Sequence, residues 1–97
     1  MELIKIINVE GKNLVSAREL HEFLDSTERF TKWFDRQLKY GFEEGMDFTS
    51  VNSFTLVNNG AKRQLQDYAL TLDTAKEISM IQRTEKGKEA RQYFIEK

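Results

Sequence analysis

Four cationic side chains recur along one short segment of the sequence, and their spacing defines the first chemistry that this chain offers. They are Arg29, Lys32, Arg36 and Lys39. At about 100° per residue of an α-helix, they fall within a stripe about 80° wide. Ammonium and guanidinium groups in such a stripe suit phosphate oxygens, so the segment is a candidate nucleic-acid contact. The competing interpretation is a charged helix face that simply meets solvent.

Catalytic residues do not form a comparable set. His21 is the single histidine and the chain has no cysteine. It lies beside an apolar stripe, and we interpret it as a structural or surface residue. Asp67, Asp73 and Glu77 are acidic, but no glycine-rich phosphate loop or metal-binding motif accompanies them. We therefore expect no enzymatic activity, no cofactor, no metal and no small-molecule substrate.

A pair of helices in residues 16–40 has to position the cationic stripe. Ser16 followed by Glu19 matches a capping box and predicts the start of the first helix. A polar turn at 25–27 separates the two helices. The second helix has an apolar side nearly opposite the cations, formed by Phe30, Trp33, Phe34 and Leu38. Such a pair, with a basic second helix, has the outline of a helix-turn-helix.

The remaining segments predict a small sheet and two more helices. Strands are expected at 3–9, 48–57 and 64–70, with a turn at Gly11-Lys12-Asn13 that leads into a short return strand at Leu14-Val15. Helices are expected at 73–83 and 85–96, capped by Thr71 or Asp73 and by Thr84. Gly87, early in the last helix, indicates close packing of another backbone. The predicted class is α+β, a small antiparallel sheet with about four helices.

A hairpin at 48–70 follows the helix pair. Asn59-Gly60 favours a tight primed turn, and the inward residues are expected to be Val51, Phe54 and Leu56. Lys62 and Arg63 lie near its tip, where a wing would contact DNA. The alternative is an ordinary solvated turn.

Composition limits the partners and the compartment. The 97 residues predict one domain, and 15 basic against 16 acidic side chains give a net charge of −1. Any DNA contact is therefore expected to be local, because broad coating of nucleic acid needs an excess of cations. The absence of cysteine fits a reducing compartment, and no apolar run predicts a membrane span or a signal peptide. We expect a cytoplasmic protein.

Two blocks of the sequence resemble a known family. The first is LVSARELHEFL at 14–24, followed by Phe30, Trp33 and the segment 40–48; the second is DYALTLDTAKEISMIQRTEKGKEARQYFIE at 67–96. Together they resemble the N-terminal domain of phage and prophage antirepressors of the AntA/AntB family. The first block is also loosely similar to Bro and KilA N-terminal domains.

The resemblance implies a non-catalytic regulator of lysogeny in a bacterial host. Antirepressors of this kind relieve repression by binding a phage repressor, and sometimes through DNA. Members of the family usually carry a C-terminal domain as well, so residues 1–97 are expected to form a single domain of the N-terminal type, with the C-terminal domain absent. Whether the chain is a fragment of a longer protein stays open.

Two hypotheses follow for the partner. In the first, the domain binds double-stranded DNA through Arg29, Lys32, Arg36, Lys39, Lys62 and Arg63. In the second, it is a protein-interaction module that binds a phage repressor or self-associates without contacting DNA. The acidic segment 41–60 and the last helix would matter more in that case. A two-fold dimer is the default expectation for a module that reads symmetric sites.

Overall fold

The computed structural model describes residues 4–56 and 62–97, and for residues 52–56 and 62–65 it describes the backbone alone. Its elements, in order, are β1 (Ile6–Val9), β2 (Lys12–Ser16), α1 (Ala17–Leu24), α2 (Phe30–Leu38), β3 (Phe48–Leu56), β4 (Lys62–Thr71), α3 (Leu72–Ile81) and α4 (Glu85–Ile95). The predicted α+β class, the helix pair and the hairpin are confirmed. In the described ranges no helix has both the length and the apolarity to cross a bilayer.

The sheet has four antiparallel strands in the order β1-β2-β4-β3. The predicted return strand at Leu14-Val15 is β2, which is longer than predicted and central in the sheet, because it pairs with both β1 and β4. Lys12 and Asn13, expected in a turn, belong to β2. The turn is Glu10-Gly11, with φ angles of 51° and 83°. Two positive φ angles are what a type I′ hairpin requires, and a glutamate at the first position is a weak signal for one.

One face of the sheet supports the hydrophobic core. Ile6, Val15, Leu70 and Phe48 are direct cross-strand neighbours on successive strands. Val15, Leu70 and Phe48 are buried, and Ile6 packs against the core. The helices contribute the other large buried side chains, among them Leu20, Trp33, Phe34, Ile78 and Phe94. The helices therefore cover this face of the sheet.

The opposite face of the sheet is largely open. Ile7, Val9 and Val51 expose 44%, 47% and 39% of their surface. The prediction that Val51 points inward was wrong, because strand residues alternate between faces and Phe48 is the core-facing residue. Phe54 and Leu56 were also predicted to point inward, but their side chains lie outside the description, as does the predicted turn at 58–60.

Hydroxyl caps begin three of the helices. Ser16 Oγ accepts from the Glu19 N–H in α1, and Thr84 Oγ1 accepts from the Gly87 N–H in α4. At α3, Thr71 Oγ1 accepts from the Thr74 N–H, so Thr71 rather than Asp73 is the cap. A positive φ of 54° at Arg83 turns the chain towards α4, which is why α3 ends before residue 83.

Candidate nucleic-acid interface

Aromatic contacts fix α2 on the hairpin of β3 and β4. The Phe34 ring stacks on Tyr68 with centroids 4.0 Å apart, and it meets Phe48 edge-on at 5.3 Å. Trp33, one position earlier, is fully buried, as predicted. Because these side chains face the core, the other side of α2 has to face solvent.

A polar network fixes the carboxyl half of α2 to the end of α3. The Trp33 indole donates to Gln82 Oε1 at 3.3 Å, and Gln82 Nε2 donates to Gln37 Oε1 at 3.2 Å. Gln37 is fully buried, and its Nε2 donates to the Trp33 carbonyl at 3.2 Å. Both amide side chains, the buried Gln37 and the half-buried Gln82, thus have partners, and the network sets the orientation of α2 in addition to the aromatic packing.

The turn between α1 and α2 is held by His21. Its Nε2 donates to the Glu28 carbonyl at 2.8 Å, and its ring lies 5.0 Å from Trp33 and 5.7 Å from Phe30. The Glu28 N–H donates to Ser26 Oγ at 3.2 Å. His21 therefore has a structural role, and the backbone just before α2 is well anchored.

The outer side of α2 brings the four predicted cations together. Arg29, Lys32, Arg36 and Lys39 are all exposed. They line one shallow concavity together with Glu28, Thr31 and Asp35. The geometry thus supplies a compact basic surface, while contact between this surface and DNA stays a prediction.

Arg36 differs from the other three cations because Glu28 neutralises it. Its Nη2 and Nε lie 2.6 Å and 3.0 Å from Glu28 Oε1. Among the described residues, Arg29, Lys32 and Lys39 form no ion pair. The lining of the concavity has four cations and two carboxylates, Glu28 and Asp35, so the basic surface carries a net charge of +2.

The predicted wing residues can be placed only in part. Lys62 and Arg63 are the first two residues of β4. Their side chains lie outside the description, so their role as a second DNA contact also stays a prediction.

Comparison with known proteins places the chain in a family. A family model described as AntA/AntB antirepressor matches residues 15–84, which is more than half of the chain. The chain belongs to the AntA/AntB antirepressor family. The match confirms the resemblance seen in the sequence and includes all of α2, whereas β1 and α4 lie outside it. The comparisons with curated proteins and with solved structures gave no match.

In this AntA/AntB family member, Asp67 is a buried residue whose role the sequence did not reveal. Its carboxylate accepts from Ser16 Oγ at 2.5 Å, from the Arg18 N–H at 3.0 Å and from the Tyr68 N–H at 2.7 Å. It therefore ties β4 to the first turn of α1.

Asp73, by contrast, pairs with Lys76 at 3.6 Å. In the described ranges no three His, Cys, Asp or Glu side chains could hold a metal ion.

The surroundings of the Tyr68 phenol alter its pKa. Burial raises its pKa above the ordinary value of 10.0, and the carboxylates of Asp35 and Glu44 raise it further. Arg18 acts in the opposite direction. Because this pKa lies above 10.0, the hydroxyl stays neutral at physiological pH and adds no charge to the hairpin.

Proposed function

We propose that this AntA/AntB family member is a phage antirepressor-type regulator of lysogenic gene expression that binds duplex DNA through the outer surface of α2. It performs no catalysis and acts in the cytoplasm of the bacterial host. One observation carries the proposal: Arg29, Lys32 and Lys39 are exposed on a single helix, without ion pairs among the described residues, while the other side of that helix is held in the core.

The mode of binding follows from the position of α2 as the second helix of the pair. The major groove of B-DNA is about 12 Å wide and admits an α-helix. With α2 in the groove, Lys32 and Lys39 reach phosphates, and Lys62 and Arg63 of the hairpin contact the backbone beside it. Because the net charge of the whole chain is −1, attraction is confined to this surface and the affinity is strongly salt-dependent.

Fluorescence anisotropy of a labelled random-sequence duplex tests this proposal at several salt concentrations. The logarithm of the affinity falls against the logarithm of the salt concentration with a slope of about −0.9 per phosphate contact. The double variant Lys32→Ala with Lys39→Ala is expected to weaken binding. It is also expected to make the salt slope shallower by the contribution of about two phosphate contacts. The matched control is Lys88→Ala with Arg91→Ala, which removes two exposed cations from α4. Equal losses in both double variants would contradict the proposal.

A second candidate function is a protein-interaction module, and the open apolar face of the sheet favours it. Ile7, Val9 and Val51 are exposed there, and a contiguous apolar patch is a common feature of protein-binding sites. The occupant would be a phage repressor or a second copy of the chain. Val9→Lys with Val51→Lys is then expected to abolish capture of the phage repressor or dimerisation in sedimentation velocity, while duplex binding is unchanged.

A further inference from the structure

We propose that Glu28 is a positioning residue that orients Arg36 to read a guanine in the DNA that α2 binds. This inference rests on the proposed function and concerns the same surface. It assigns the four cations of α2 to two tasks: Arg29, Lys32 and Lys39 contact phosphates, and Arg36 contacts a base edge.

The geometry of the ion pair leaves the recognition edge of Arg36 available. Glu28 Oε1 lies between Nε and Nη2 of Arg36, at 3.0 Å and 2.6 Å. Two of the five N–H donors of the guanidinium are therefore used, and the outer Nη1–Nη2 edge keeps a parallel pair of donors. Such a pair matches the O6 and N7 acceptors of guanine in the major groove. The Arg36 side chain exposes 44% of its surface, so this edge is accessible.

Glu28 is itself held in place, as a positioning residue has to be. Its N–H donates to Ser26 Oγ and its carbonyl accepts from His21. The Glu28 side chain exposes only 28% of its surface. A freely rotating arginine loses side-chain entropy when it binds a base, whereas Arg36 has already lost part of that freedom in the folded domain.

The location of the pair fits base readout. Glu28 immediately precedes Arg29, which is the N-cap of α2. The guanidinium of Arg36 therefore lies back along the helix, beside a residue at the amino-terminal end. Recognition helices of helix-turn-helix proteins contact base edges with the residues at that end.

The neutralised charge of Arg36 also favours contact with a base edge over contact with a phosphate. A compensated guanidinium releases few counterions when it meets a phosphate, so it gains little there. A base edge offers directed acceptors without a net charge, and two parallel hydrogen bonds still form. Arg36 is therefore better suited to discriminating bases than to general attraction.

The test is selection of bound sequences from a pool of random duplexes, carried out with the wild type, Glu28→Ala and Arg36→Lys. The wild type is expected to enrich sites with a fixed guanine, preferred about tenfold or more over other bases at that position. Glu28→Ala is expected to lose this preference and to steepen the salt slope by about 0.9, because the freed Arg36 becomes one more phosphate contact. Arg36→Lys keeps the positive charge but removes the parallel pair of N–H donors, so this variant is also expected to lose the preference for guanine.

Glu77→Ala is the matched control, because it removes one exposed carboxylate from α3 and changes the net charge equally. This variant is expected to select the same sequences as the wild type and to show the same dependence of affinity on salt concentration. The inference is overturned, and the proposed function retained, if the wild type binds without guanine preference or if Glu28→Ala selects the same sequences as the wild type. If no chain binds any duplex, the proposed function fails and the inference fails with it. Circular dichroism of each variant confirms that the fold is intact.

Discussion

Gly87 in α4 lies directly against the backbone of Ser79 in α3. A Cβ atom built on Gly87 would stand 2.5 Å from the Ser79 carbonyl oxygen and 3.0 Å from Gln82 Cβ. The two helices can pack this closely only because position 87 has no side chain. The sequence predicted such a backbone contact from a glycine early in a helix, and the prediction is confirmed.

Gly87→Ala is therefore expected to destabilise the domain. Helix propensity alone favours alanine by about 1 kcal/mol, but overpacking against a backbone atom costs about 1–3 kcal/mol. We expect the clash to dominate and the melting temperature to fall, by about 4–8 °C for each kcal/mol of net destabilisation. Thermal unfolding followed by circular dichroism measures the change. Lys88→Ala, next to it on the exposed side of α4, is the control, and a higher melting temperature for Gly87→Ala would refute the packing argument.

Gln82→Leu is expected to destabilise the link between α2 and α3. The substitution leaves the Trp33 indole N–H and the Gln37 side-chain oxygen without their partner. A buried polar group left unpaired costs about 1–3 kcal/mol. Urea unfolding followed by fluorescence reports it directly, since Trp33 is the only tryptophan.

A double variant separates the network from simple packing. Gln37→Leu with Gln82→Leu replaces both amides, and its loss is expected to be smaller than the sum of the two single losses. Strict additivity would mean that the two glutamines do not act as a network. Gln92→Leu on the exposed side of α4 serves as a control for the change of residue type.

The sequence predicted those features that depend on local chemistry. The caps Ser16 and Thr84 follow from a hydroxyl three residues before a free N–H, and the burial of Trp33 follows from helical periodicity. The features it missed depend on contacts between distant segments. Glu28 and Arg36 are eight residues apart, a spacing that no rule for helical ion pairs includes. The central position of β2 depends on pairing with β4, whose residues lie far along the chain.

Asp67→Ala is expected to loosen the junction between β4 and α1. The Asp67 carboxylate is buried and accepts from three donors, which lose their acceptor in the variant. We expect a loss of about 2–3 kcal/mol in the free energy of unfolding, because hydrogen bonds to charged groups contribute more than neutral ones. Asp73→Ala, whose side chain is 92% exposed, is expected to cost only a few tenths of a kcal/mol. Similar losses in the two variants would contradict the structural role of Asp67.

Stability at alkaline pH is expected to depend on Tyr68. Because its pKa is higher in the folded domain than the ordinary value of 10.0, the neutral phenol stabilises the fold below pH 10. That contribution is lost as the pH rises through the folded pKa. Tyr68→Phe keeps the ring that stacks on Phe34 and removes the ionisation, so its stability should fall less steeply above pH 10.

Urea unfolding of the wild type and Tyr68→Phe at several pH values between 9 and 11 measures this difference. Asp35→Asn provides the second comparison. It removes the largest acidic contribution to the shift, so the Tyr68 phenol should titrate at a lower pH when absorbance at 295 nm is followed. An unchanged midpoint would show that Asp35 does not act on Tyr68.

The central claim is that the outer surface of α2 is where this antirepressor-family domain meets DNA. NMR spectra of the ¹⁵N-labelled domain, recorded during titration with a short duplex at low salt, test it most directly. We predict that amide signals of residues 28–39 shift most, with smaller changes at residues 62 and 63 and none at Ile7, Val9 and Val51. Shifts confined to the open face of the sheet, or no shift at any duplex concentration, would contradict the claim and favour a protein partner.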